Sequence, residues 1–263
     1  MKNKKSIDWW NYVRNEELKP VLEFFSKEKN IQILEIGGGN GYQAKKISEI
    51  GYNVTSIDVS PKYPQYFPVQ KIDLITKPFK SQSFDLIFTS HVLPHLENLD
   101  ETLTEIRRLV KKNGFVIHIL PTPSVSLVTN FWHYLFIPKY IWRSLNKRLK
   151  QNVNTEQKNK EKIKSLVNET NQVKLKQLFF HPLGNNSSFV HEFYYFSKFY
   201  WRNIFTNSGF KIISVKRGPD LTSGYGIFKM KFLKIRKFLG RFFSTTHCFI
   251  LQPDYTNIFG IKE

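Results

Sequence analysis

The sequence predicts an α/β fold built on an open, mostly parallel sheet, and three observations carry that prediction. A short apolar run, Ile31 to Ile36, leads into glycines at alternate positions, Gly37, Gly39 and Gly41. A helical stretch from Tyr42 to Ile50 then closes at Gly51, and a second apolar run, Asn53 to Ile57, stops at Asp58. Short continuous apolar runs suit strands covered on both faces. A glycine turn between strand and helix lets a ligand approach the backbone with no Cβ in the way.

The elements follow in order along the chain. Residues 1–30 read as an N-terminal covering helix, with Trp9, Tyr12, Val13, Val21, Leu22 and Phe25 on apolar faces. Residues 31–120 form the ligand-binding core. Within it, Ser83 to Ser90 is a third strand, Leu103 to Val110 an amphipathic helix with Glu105, Arg107 and Arg108 on its wet side, and Phe115 to Leu120 the next strand after a turn at Lys111-Lys112-Asn113-Gly114. Residues 121–198 interrupt the domain as a first insert, 199–217 return to it with a helix and a sixth strand, 218–245 form a second insert, and 246–256 carry a seventh strand. The whole of 1–263 is one domain, long enough to bury a full core.

Glu35-x-Gly37-x-Gly39-x-Gly41 departs from the G-x-G-x-x-G of dinucleotide-binding proteins. It resembles the first motif of class I S-adenosylmethionine-dependent methyltransferases of the type 11 kind, and the resemblance continues through residue 120. It implies a Rossmann-like seven-stranded sheet with an antiparallel last strand, here carrying the two inserts, and S-adenosylmethionine as cofactor. By the same resemblance Glu35, Gly37, Gly39 and Gly41 form the cofactor turn, and Asp58 holds the ribose hydroxyls. Asp73 with Leu74 hold the adenine, and Ser90 ends the strand under the methionine half. His91 to Leu96 matches a loop over the cofactor.

Methyl transfer is an in-line displacement, so the protein mainly aligns donor and nucleophile and removes a proton from a hydroxyl acceptor. The candidate catalytic bases are His95, in the loop over the cofactor, and His191 from the first insert, with His181 and Glu192 as further candidates. Each is equally readable as a structural side chain satisfied by its neighbours. His91 either touches the cofactor or merely ends its strand, and His118, within a core strand, is expected to pack. No N/D-P-P-Y/F tetrapeptide follows the strand that ends at Ser90, which argues against exocyclic amine methylation of bases. Cys248 belongs to a late strand, and no Cys/His cluster points to a metal.

The formal charge of +19 is unevenly spread. Residues 1–120 hold 17 basic and 14 acidic side chains, while 121–263 hold 23 and 7. The asymmetry points away from the cofactor and toward an acceptor or a surface, although solvated lysine of no function explains it equally. From Ile227 to Phe243, apolar Phe228, Phe232, Ile235, Leu239 and Phe242 recur at helical spacing among lysines and arginines with no acid. Two readings stand for 227–243: a helix in the interface of an anionic membrane, or one packed on the sheet.

The first insert is aromatic from Phe131 to Trp142 and polar over 147–177, which suggests a lid. Its His181-x-x-Gly184-Asn185, followed by Glu192, aromatics and Trp201, resembles methyltransferases of bacterial surface-polysaccharide clusters. That resemblance implies a sugar or glycan acceptor, such as a nucleotide-sugar or lipid-linked saccharide, methylated on oxygen. RNA is the alternative acceptor, a nucleic-acid partner that would follow the basic half, and a non-catalytic cofactor-binding subunit is the third reading. One cysteine, no leader-like apolar core and no run of about 18 apolar residues lead to the expectation of a cytoplasmic protein, peripheral at the inner membrane face.

Overall fold

The computed structural model describes residues 4–25, 30–76, 79–128, 189–218 and 230–255, with single positions 131, 135, 142 and 228. Seven strands form one sheet: β1 Gln32–Ile36, β2 Asn53–Asp58, β3 Val69–Lys71, β4 Phe84–Ser90, β5 Val110–Pro121, β6 Phe210–Arg217 and β7 Thr246–Pro253. Their order across the sheet is β3-β2-β1-β4-β5-β7-β6. The first five are parallel, and β7 runs antiparallel between β5 and β6. This is the Rossmann-like arrangement expected from the motifs.

The α-helices among the described residues include α1 Lys4–Leu22, α2 Tyr42–Glu49, α3 Leu99–Leu109, α4 Phe189–Tyr195, α5 Lys198–Asn207 and α6 Leu233–Gly240, and 123–128 is helical as well. A 3-10 turn, Leu93–His95, follows β4. Strand residues alternate between the two faces, so Ile33 and Leu34, neighbours in β1, enter different cores. Ile33, Phe88, Ile117 and Ile250 pack with Ile47 of α2 and Leu18 and Val21 of α1. Leu34, Ile87, Val116 and Phe249 pack with Leu103 and Ile106 of α3 and Trp201 and Phe205 of α5. His118 lies in the second core as expected, stacked on Phe205 at 5.0 Å, with its Nδ1 2.7 Å from the Thr89 hydroxyl.

Three boundaries differ from the sequence reading. The segment Lys111 to Gly114 is not a turn before β5 but a bulge inside it: Val110 faces Phe84 and Phe115 faces Leu86. Lys111 is tied there to Asp85 at 2.7 Å, and a Cβ on Gly114 would lie 2.8 Å from the Asp85 carbonyl, which accounts for the glycine. Helix α3 starts at Leu99, four residues earlier than its apolar periodicity indicated, because Asp100 and Glu101 favour the first turn. The helix expected over 227–243 is confined to Leu233–Gly240 in the described residues, preceded by Phe232 in a left-handed conformation at φ 56°.

Candidate active site

The glycine loop is held by hydrogen bonds on every side. The N–H groups of Gly37 and Gly38 both donate to the Ile57 carbonyl, at 2.8 and 3.0 Å. The connection from β2 to β3 contains no helix; it folds back so that Lys62 N–H donates to Gly39 O and Tyr66 N–H to Asn40 O, each at 2.8 Å. Asp58 accepts from Gly39 N–H through one carboxylate oxygen and from Ser60 N–H through the other, both at 2.8 Å. Each of those oxygens retains a further lone pair.

Behind the loop, Glu35 is 3% exposed and accepts from the Ser56 hydroxyl at 2.5 Å. It also takes the Ala44 N–H in the first turn of α2, one of the donors that a helix start leaves without an internal partner. Burial pushes its carboxyl up to about 7, against the opposing pull of Ser56, the Arg14 charge and Ala44.

The glycines are not equivalent. A Cβ on Gly37 would come within 2.2 Å of a Val92 methyl, so the loop after β4 seats on that glycine. Gly39, at φ +58°, has nothing within 4 Å of its Cβ position. The open stretch of the turn is therefore at Gly39, outside the carboxyl ends of β1 and β4, where α/β sheets of this kind bind ligands.

Helix α1 completes the site, through two residues the sequence reading passed over. Arg14 donates to the Ser90 hydroxyl at 2.7 Å and pairs with Glu17 at 3.1 Å; Glu17 in turn lies 2.8 Å from His91 Nε2. Burial pushes the Glu17 carboxyl up, but His91 and Arg14 together outweigh it and hold it below the ordinary carboxylate range. A signal was present: Arg14 and Glu17 share the i, i+3, i+4, i+7 stripe with buried Leu18 and Val21. Charges on the apolar stripe of a helix mark a buried polar contact.

The other candidates sit in three different segments of the chain. Asp73 is exposed and turns one oxygen to the Ile75 N–H at 3.0 Å, while the Leu74 side chain is buried in the core, so only its backbone is available to a ligand. His95 sits in the 3-10 turn after β4, its imidazole held below the ordinary value by partial burial and then by the charge of His91. His191 lies exposed on α4, whereas the adjacent Glu192 is fully buried and accepts from the Ser126 hydroxyl at 2.6 Å. His181 and the polar stretch 147–177 lie outside the described residues. Among the described residues, no group of three or more His, Cys, Asp or Glu gathers as a metal site would need.

An aromatic cluster stands beside Glu192. Tyr194, Tyr195 and Tyr200 approach one another with ring centroids 4.6 to 6.0 Å apart. Of the aromatic run in the first insert, Phe131, Leu135 and Trp142 are described, and all three are exposed at helical positions.

Residues 9–215 match the family model described as a methyltransferase domain. Over 111 residues the chain is 30% identical to uncharacterized protein MJ0638 of Methanocaldococcus jannaschii, covering 40% of this chain and 47% of that one. Over 105 residues it is 30% identical to the highly reducing polyketide synthase verA of Penicillium polonicum, covering 33% of this chain and 4% of that one. The chain thus spans less than half the length of these curated relatives. Among solved structures, a chain in the complex of the Haloferax volcanii Trm112 methyltransferase activator with a candidate methyltransferase superposes with a TM-score of 0.53 at 13% identity, covering 95% of this chain and 96% of that one. A candidate S-adenosylmethionine-dependent methyltransferase from Listeria monocytogenes gives 0.52 at 11% identity, covering 92% and 98%. At such identities the likeness is one of fold.

Proposed function

The chain belongs to the class I S-adenosylmethionine-dependent methyltransferases, and from that premise we propose that it methylates a hydroxyl oxygen of a saccharide acceptor, such as a glycan, a nucleotide-sugar or a lipid-linked sugar. The observation that carries the acceptor is the rim beyond β5. There Tyr194, Tyr195 and Tyr200, just after the buried Glu192 in the chain, offer apolar faces with hydroxyl edges, the pairing that sugar rings demand.

The residues around the glycine loop suit the cofactor. Gly39 faces open space, while its neighbours Gly37, Gly38 and Gly41 are backed by protein atoms, so the one vacant Cβ position is where a ligand approaches the backbone. Asp58 offers its remaining lone pairs to ribose hydroxyls without releasing Gly39. The Arg14 guanidinium, beside Ser90, matches a carboxylate in charge and geometry. The segment Ile72 to Leu74 offers its backbone and the Asp73 carboxylate to an adenine edge. When bound, the cofactor supplies a methyl group on a positively charged sulfur.

The protein supplies alignment and a proton acceptor. His95, held below its ordinary value, is neutral near pH 7 and can take the hydroxyl proton. Glu192, fully buried and bonded to Ser126, supports α4 from within and does not touch the acceptor.

The positive charge of residues 121–263 favours RNA as a second acceptor, and the same experiment separates the two. Labelled methyl from S-adenosylmethionine is offered to fractionated cell extract, with Asp58→Ala as the control. That variant should bind the cofactor more weakly by roughly 1.5–3 kcal/mol, the loss expected for hydrogen bonds to a charged group. Label in a saccharide or lipid-linked fraction supports the reading. Label in RNA replaces the acceptor, and tight cofactor binding with no label in any fraction makes the chain a binding subunit.

A further inference from the structure

Helix α6 is docked through Arg236 and Gly240, its buried residues, and not through its apolar stripe. Arg236 is 5% exposed, its guanidinium carbon 4.2 Å from the ring centroid of buried Trp9, and Lys237 lies 5.5 Å from the Tyr12 ring and 3.7 Å from the Glu16 carboxylate. An amphipathic helix on a globular protein ordinarily buries its apolar stripe. Here the aromatic rings of α1 take the cations, and the stripe is left facing water.

That stripe is long for its length of chain. Ile235, Phe238, Leu239 and Phe242 follow i, i+3, i+4, i+7 spacing and are all exposed, and Met230, Phe232 and Phe243 extend the surface on either side. Phe238 and Phe242 touch at 5.8 Å between centroids, so the patch is continuous and not a scatter of single residues. Lys231, Lys234 and Arg241 are exposed around it, and the sequence from 221 to 253 contains no Asp or Glu.

We propose that α6 and its flanking turns form a docking surface for an anionic lipid bilayer, with the phenylalanine and leucine side chains entering the headgroup boundary and the lysine and arginine collar meeting lipid phosphates. Charge complementarity selects this occupant. A second copy of the chain would bring two acid-free cationic collars face to face, which costs free energy, whereas long basic side chains around apolar tips match the depth profile of an interface. The residues of this surface are not among those assigned to the cofactor, although α6 packs on the same helix α1 that carries Arg14 and Glu17.

The test is flotation of the full chain with vesicles of phosphatidylcholine alone or with a minority of phosphatidylglycerol. Binding is expected to the anionic vesicles, to weaken as salt rises, and to fall at least tenfold in Phe238→Asp/Phe242→Asp and in Lys231→Glu/Lys234→Glu. Both substitutions sit on exposed side chains, and unchanged thermal unfolding and cofactor binding confirm that the fold is intact. No binding, equal binding to neutral vesicles, or binding that survives both variants overturns the proposal. So does a concentration-dependent dimer, or retention on an RNA oligonucleotide, that depends on Phe238 and Phe242 while vesicles are ignored.

Discussion

The glycine loop and helix α6 are both short, both decisive for the reading of this chain, and built on opposite terms. In the loop, backbone groups are tied to Asp58, Ile57, Lys62 and Tyr66, and the single opening lies at Gly39. In α6, two cations resting on Trp9 and Tyr12 set the orientation, and the apolar side is left open. The first region works by what its backbone does, so residue type at fixed spacing specifies it. The second depends on which of two faces finds a better partner, and spacing does not choose between them.

The largest effect that would test this contrast is at Gly41. A Cβ there would lie 2.5 Å from the Phe67 carbonyl at φ +73°, so Gly41→Ala should cost about 2–4 kcal/mol in urea unfolding. Gly39→Ala should cost only about 1 kcal/mol, the price of a left-handed non-glycine residue, yet weaken cofactor binding. If the two variants unfold alike, the loop is not divided into a structural and a ligand-facing glycine.

Next in size is a pH effect from Glu35. Its folded-state value of about 7 lies above the ordinary 4.5, so the folded state holds this proton more tightly than the unfolded chain. The stability it contributes is therefore full below about pH 4.5 and is lost as pH rises through about 7, a change on the order of 3 kcal/mol. Thermal unfolding between about pH 5 and about pH 8 should show this decline, and Glu35→Gln should remove it. A decline that persists in the variant would assign the proton elsewhere.

Smaller effects separate the two sides of α6. Arg236→Ala removes a buried cation over Trp9 and should cost about 1–2 kcal/mol. Phe238→Ser, on a side chain 57% exposed, should change stability by less than about 0.5 kcal/mol. The reverse ranking would mean that the phenylalanines, and not the cations, hold the helix.

The core from 31 to 120 was legible because buried strands, glycines and a terminal carboxylate leave few alternatives for the chain. The sequence-based boundary at Lys111 to Gly114 missed because a bulge satisfies Lys111 through Asp85, a partner from another strand that no local pattern contains. Arg14 and Glu17 were passed over for a related reason: their partners Ser90 and His91 are distant in the chain, although their place on an apolar stripe was a usable clue. Asp58 was expected to face the ribose alone, and it also braces the loop through Gly39 and Ser60. His191 was chosen over its neighbour, and the residue turned inward on α4 is Glu192, a distinction that depends on helix phase over a segment of only seven residues.

The position of β7 bears on how this molecule is made. It is the last strand in sequence but an interior one in space, bonded to β5 on one side and to β6 on the other. During synthesis β5 must therefore wait with an open edge while more than a hundred further residues leave the ribosome, and β6 has no neighbour until β7 arrives. Such a gap slows closure and leaves a strand edge to be shielded from other nascent chains. Completing the sheet requires Thr246–Pro253 to enter between two strands, and damage to that segment would unmake both junctions at once.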